Sequence, residues 1–159
     1  MNFSAYHFIT RWQIPGNCET IFDILAEPLE LVRWWPEVYL DVQEIDPTEP
    51  EGLGKRFDLY TKGWLPYTLR WQLMTTRVER PVYLGLSAMG DFEGTGLWTL
   101  TQRGEMVDVE YDWRIEANKP LLRFLSPILK PVFAANHRWA MAKGETALER
   151  EVERLIAQR

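Results

Sequence analysis

Between Phe3 and Ile14 the chain alternates. Tyr6, Phe8, Thr10, Trp12 and Ile14 fall on one side and Ala5, His7, Ile9, Arg11 and Gln13 on the other, the two-residue period of a strand with one buried face. Pro15, Gly16 and Asn17 end it. Asn17 stands where a side-chain oxygen can cap a helix over 18–26, whose Ile21, Phe22 and Leu25 lie three or four apart. Pro28 breaks that helix, and a second short one, LELVRWW, runs into Pro36. From about residue 38 to residue 117 period two returns, cut by turn residues in the Pro47 to Gly54 loop and at Lys62-Gly63, Arg80-Pro81, Gly90-Asp91 and Arg103-Gly104. The pattern predicts six strands there. In VDVEYDWRIE, Val107, Val109, Tyr111, Trp113 and Ile115 alternate with Asp108, Glu110, Asp112, Arg114 and Glu116, as in an antiparallel sheet covered on one side. Tyr67, Leu69, Trp71 and Leu73 repeat the device in YTLRWQL. In FEGTGLWTL, Gly94 and Gly96 share a face with Phe92, Trp98 and Leu100, which permits strong curvature or the close approach of a covering group.

After Asn118 comes an apolar lead-in interrupted by prolines, NKPLLRFLSPILKP, and then a helix predicted from about Pro131 to the terminus, roughly 40 Å long at 1.5 Å per residue. On it His137 shares a face with Phe133, Met141, Gly144, Leu148 and Leu155, while Trp139, Lys143, Thr146, Arg150 and Glu153 take the opposite side. So long an apolar stripe must lie on something large, and the apolar face of the sheet is the candidate. Glu151 falls within the stripe and reads as a helix-end carboxylate reaching solvent.

Composition changes this picture in a few respects. The 159 residues fit one domain, 1–159, without repeat or linker. Eight Trp, six Tyr and seven Phe make 13% of the chain, more than a core of this size commonly uses. Aromatics fill cores and also line pockets. A net charge of -5 and the absence of a Lys/Arg cluster argue against nucleic acid. No segment reads as a signal peptide or bilayer span, so a soluble cytoplasmic protein without integral membrane association is expected. One cysteine, Cys18, excludes an intrachain disulfide and reads as packing. With two histidines on separate elements, and no nucleotide loop, HExxH or GxSxG, neither a metal nor a cofactor is expected.

The element order, with FITRWQIPG, RWWPEV, GLGKRF, LPYTLRW, GTGLWTL, VEYDW and NHRWAMAKGE, resembles the START-like (SRPBCC) superfamily and within it the polyketide cyclase/dehydrase-like branch. The resemblance implies an α+β helix-grip fold: a curved seven-stranded antiparallel sheet wrapped round a long C-terminal helix, two short helices after the first strand, and a cavity between sheet and helix. It also implies a small hydrophobic partner, a lipid, polyketide or aromatic compound, and in some members cyclisation or dehydration.

In that setting His137 either reaches the cavity, to bond a ligand or move a proton, or is a core histidine satisfied by a backbone carbonyl. Asn136 either flanks the same pocket or caps a local turn. Phe57, Tyr67, Leu69, Trp71, Trp98, Tyr111, Trp113, Phe133 and Met141 are candidate walls, with Trp35 or Trp34 at the mouth. Asp58, Asp91 and Glu93 are candidate rim groups, turn chemistry explaining Asp91 equally well. The leading expectation is a binder of a hydrophobic ligand. A cyclase or dehydratase would use His137 as general acid or base with Tyr67 or Tyr111 polarising a carbonyl. An interaction module would use Trp139 as an exposed anchor.

Overall fold

The computed structural model describes residues 5–45 and 53–158. One antiparallel sheet holds β1 (Ala5–Pro15), β2 (Tyr39–Ile45), β3 (Arg56–Lys62), β4 (Thr68–Glu79), β5 (Tyr83–Gly90), β6 (Phe92–Arg103) and β7 (Met106–Ala117), in the order β1-β7-β6-β5-β4-β3-β2. Between β1 and β2 lie α1 (Cys18–Leu25), one 3-10 turn (Pro28–Glu30) and α2 (Leu31–Trp34), and α3 (Pro120–Ala157) ends the chain. The strands and the long helix are those that the periodicity predicts, and their arrangement is the α+β helix-grip fold that the resemblance implies. Two predicted features, the first residues of the opening strand and the loop from Pro47 up to Gly52, lie outside the described residues. No helix among the described residues is long and apolar enough to cross a membrane.

The local chemistry follows the sequence closely. Asn17 Oδ1 accepts from Thr20 N at 2.9 Å, so α1 starts on the expected cap. Along β7 the apolar set Val107, Val109, Tyr111 and Trp113 is buried against Ile14, Trp12 and their neighbours. The acidic set on the other face pairs with surface cations, Asp108 with Arg103, Glu110 with Arg11, and Asp112 with Arg114 and His7. Curvature has a visible source at Gly96, which pairs with Trp113. A Cβ there would lie 2.5 Å from the Tyr111 hydroxyl and 3.0 Å from the Trp113 ring. Its absence lets Tyr111 and Trp113 stack over the sheet, their centroids 5.5 Å apart. Register shifts between Tyr39 and Asp41 and between Thr75 and Arg77 bend the strands further.

The last helix corrects the sequence reading. It begins at Pro120 and runs through Pro127 and Pro131 unbroken, so the lead-in is its first three turns. An interior proline removes one backbone hydrogen bond and crowds the carbonyl four residues back. Here both prolines lie on the exposed side, where water can reach the freed carbonyls. The opposite side of the same turns buries Leu122 and Ser126.

Glu151 is corrected too. Its carboxylate is 1% exposed, 2.6 Å from Arg33 Nη1 and 2.5 Å from Arg154 Nε. Burial alone would raise its pKa, but the hydrogen bonds and charges of Arg154 and Arg33 outweigh it and hold the carboxyl below its ordinary value. The inserted α2 carries Arg33 over the helix, a neighbour that the helix stripe alone does not reveal. Cys18 is buried and its thiol is pushed up, first by burial and then by Glu19, which leaves it a packing residue.

Where α3 meets the insertion, Gly144 lies against Trp35. A Cβ at Gly144 would come within 2.3 Å of the indole, and that ring is wedged among Trp12, Trp34 and Tyr39. In an open helix Gly→Ala gains up to about 1 kcal/mol of propensity, whereas overpacking a filled core costs about 1–3 kcal/mol. Gly144→Ala is therefore expected to lower stability, read as a reduced midpoint of chemical denaturation with the slope unchanged; an increase would mean that Trp35 yields freely.

Candidate functional site

A cavity of about 160 Å³ lies between the first half of α3 and the concave face of the sheet. Helix residues Leu122, Phe133, Asn136, His137, Ala140 and Met141 form its roof. Tyr6 and Phe8 of β1 and Tyr111, Trp113 and Ile115 of β7 form one wall, and Leu69, Trp71 and Phe92 the floor. Trp35, Val38 and Tyr39, with Thr61 and Lys62 at the end of β3 and Gly63 and Tyr67 of the β3–β4 connection, close the far side. Of the residues singled out from sequence, His137, Asn136, Phe133, Met141, Tyr67, Leu69, Trp71, Tyr111, Trp113 and Trp35 therefore meet round one space.

Trp98 and Phe57 do not. Trp98 stacks behind Tyr111 at 4.0 Å and faces a second cavity of about 40 Å³, and Phe57 is buried but lines neither. Both alternate onto the inward face, which shows which side of a strand is covered but not how far along it the space extends. Trp34 is buried beside Trp35 rather than placed as a lid. Asp58 and Glu93 are exposed and away from the cavity. Asp91 serves the turn: its carboxylate accepts from Arg70 N, and its carbonyl accepts from Asn118 N and Lys119 N at the entry to α3.

His137 stacks face to face on Phe8, 4.1 Å between centroids and 15° from parallel. Its Nε2 is buried and has no hydrogen-bond partner among the described residues. Burial, and secondarily the charge of Arg138, lowers its pKa to about 4, so at neutral pH the ring is uncharged. The expectation of a carbonyl-satisfied core histidine thus fails at this nitrogen, which is orphaned at the edge of an empty space. Asn136 holds a distant connection and not a local turn. It lines the cavity, and its Oδ1 accepts from Leu65 N at 3.0 Å, fastening the β3–β4 connection to α3. Gly63 is required there, because a Cβ would lie 2.4 Å from that amide oxygen.

The roof is held at its margins. Ser126 Oγ donates to Leu122 O at 2.6 Å, so the Tyr6 hydroxyl, 2.7 Å away, donates to Ser126. Lys130 Nζ donates to Ala5 O, and Lys119 Nζ donates to Thr68 O at 2.9 Å. Burial, reinforced by Tyr6, raises Tyr67 to about 12, and burial raises Tyr39 and Tyr111 as well, so all three phenols remain protonated donors.

Sequence reasoning missed Tyr6, Phe8, Tyr39, Thr61 and Phe92. The first two lie on the inward side of the opening strand, and that signal sufficed to find them. Thr61, which accepts from Trp71 Nε1 at 3.2 Å, carries no such mark. Among the described residues no group of three or more His, Cys, Asp or Glu could hold a metal ion.

The fold that these elements define is the helix-grip fold, and solved structures share it. A structure of TTHA0849 from Thermus thermophilus superposes with a TM-score of 0.78 at 17% identity, covering 97% of this chain and 100% of that one. The Zhui aromatase/cyclase from Streptomyces is similar at 0.72 and 12%, covering 96% of each chain. A START superfamily protein from Mycobacterium smegmatis is similar at 0.72 and 14%, covering 94% of this chain and 98% of that one. No family model and no curated protein matches the chain by sequence.

The lowered pKa of His137 has a consequence for stability. The unfolded chain takes up the imidazole proton near pH 6.5 and the folded chain near 4. Between those values the unfolded state binds more protons, so this contribution is complete above about pH 6.5 and is lost as the pH falls towards 4. The loss is at most on the order of 3 kcal/mol. Urea denaturation from pH 7 to 4 should show wild type losing more stability than His137→Gln; parallel curves would contradict a buried neutral ring.

Proposed function

We propose that the chain binds a small hydrophobic molecule, aromatic, polyketide-like or acyl in character, beneath α3. The observation that carries this reading is the cavity of about 160 Å³, walled by aromatic rings and bordered by the unpartnered Nε2 of His137. A hydrocarbon-lined cavity of about 150 Å³ accepts a benzene-sized guest. The enclosed part of the ligand is thus one ring or a few methylenes, and a larger molecule extends through the mouth or displaces wall side chains. Affinity comes from buried apolar area, roughly 25 cal/mol per Å² before ordering costs. His137, Asn136 and a phenol orient the ligand. The solved aromatase/cyclase and START superfamily protein support a hydrophobic ligand in general terms.

The second reading is a cyclase or dehydratase with His137 as general acid or base and Tyr67 or Tyr111 polarising a carbonyl. Two observations weigh against it. A base with a pKa near 4 takes protons poorly at neutral pH, and no carboxylate lines the cavity among the described residues. The interaction module loses its anchor, since Trp139 is partly buried against the core with Lys143 beside its ring.

Native mass spectrometry of gently purified protein, followed by identification of any released compound, tests the binding reading. A stoichiometric apolar molecule is expected. Aromatic and acyl compounds should raise the melting temperature of wild type, and Ala140→Phe, which puts a ring into the cavity, should abolish that rise while melting near the ligand-free value. An empty wild-type protein that no such compound stabilises would overturn the proposal. Turnover lost with His137→Ala while binding persists would favour the enzyme.

A further inference from the structure

The outward side of α3 changes character along its length. In the second half, Lys143, Thr146 and Arg150 face solvent, as on any surface helix. In the first half the residues opposite the roof are apolar: Phe124 is 79% exposed, Ile128 77% and Val132 36%. At about 100° per residue they form one stripe across three turns. The connection fastened to Asn136 carries a further exposed aromatic, Trp64, at 59%. These turns of α3 are therefore apolar on both sides, the inner facing the cavity and the outer facing solvent.

The segment that carries the stripe is charged with one sign, although Asp91 lies 3.8 Å from Lys119 Nζ. From Asn118 to Gly144 the chain carries Lys119, Arg123, Lys130, Arg138 and Lys143 and no acidic residue, although its net charge is -5. Lys119 and Lys130 are partly committed to backbone carbonyls. Arg123, Arg138 and Lys143 are exposed, and Lys62 is exposed beside Trp64. Among the described residues none of these four forms an ion pair.

We propose that this face docks on an anionic membrane surface, with Phe124, Ile128 and Trp64 entering the headgroup region and the surrounding cations meeting lipid phosphates. Exposed apolar side chains flanked by Lys and Arg on one helix face are the combination that binds the plane of an anionic bilayer without crossing it. A nucleic acid would use the cations but leave Phe124 and Ile128 without a partner. A second copy would cover the stripe but bring two sets of like charges together across a two-fold axis. Leu122 and Phe133 on the same turns roof the cavity, so docking sets the helix that roofs the cavity on the acyl boundary.

Co-sedimentation with vesicles of phosphatidylcholine alone and of phosphatidylcholine mixed with phosphatidylglycerol tests this. The protein is expected to bind the mixed vesicles, to be released as salt rises, and to ignore the neutral ones. Phe124→Ser/Ile128→Ser should weaken binding about tenfold or more, and Arg123→Glu/Arg138→Glu should weaken it and flatten its salt dependence. Both pairs are exposed, so a melting curve close to wild type checks that each variant is folded. Absent binding to the mixed vesicles, or binding unchanged in Phe124→Ser/Ile128→Ser, overturns the proposal. A dimer that the same variant dissociates, without vesicle binding, overturns it in favour of a second copy.

Discussion

The contact on which the architecture turns is that of Trp35 with the bare backbone of Gly144. From that point towards the C-terminus, α3 lies close on the core, with Gly144, Ala147, Leu148, Glu151 and Val152 all buried. Towards the N-terminus the inward residues Phe133, Asn136, His137 and Ala140 are only partly buried. One half of the helix is packed and the other is a roof. The first turns are seated as well, through Leu122 and Ser126, so a long rigid rod spans the gap between two supports, and the large ring of Trp35 stands at the edge of the C-terminal one.

The roof is stabilised differently from the clamp. Apolar contact dominates beyond Gly144, whereas the roofing half is tied at its margins by Asn136 to Leu65, Lys130 to Ala5, Lys119 to Thr68 and the Tyr6–Ser126 pair. Such bonds each contribute about 1 kcal/mol and fill no space. That division lets the protein keep a void without losing the element above it. It also accounts for the polar residues in an otherwise apolar boundary, since several of the groups that border the space are the ties themselves.

Much of the fold was legible because it rests on periodicity. Seven alternating segments and one amphipathic helix leave few ways of covering a sheet. The start of α3 was not, because Pro127 and Pro131 read as breaks unless one knows that they face solvent. The site was legible as a direction: inward residues could be named, and Tyr6 and Phe8 belonged with them on the same evidence. Its extent depends on standoff between helix and sheet, a three-dimensional quantity, and so Trp98 and Phe57 fell outside it. The role of Glu151 was hidden because Arg33 reaches it from an element over a hundred residues earlier. The basic character of the first half of α3 was visible only as spacing and as the absence of acids, not as a run of charge.

The two internal spaces share Trp35, Tyr39, Trp71 and Tyr111 in their walls. These four side chains therefore border both spaces. Internal volume in this protein is therefore a property of rotamers. A change of side chain or rotamer at one of these four positions alters the wall of both spaces at once. The scaffold can change the size of what it encloses by single substitutions at these side chains, which carry none of the fold's hydrogen-bonded framework.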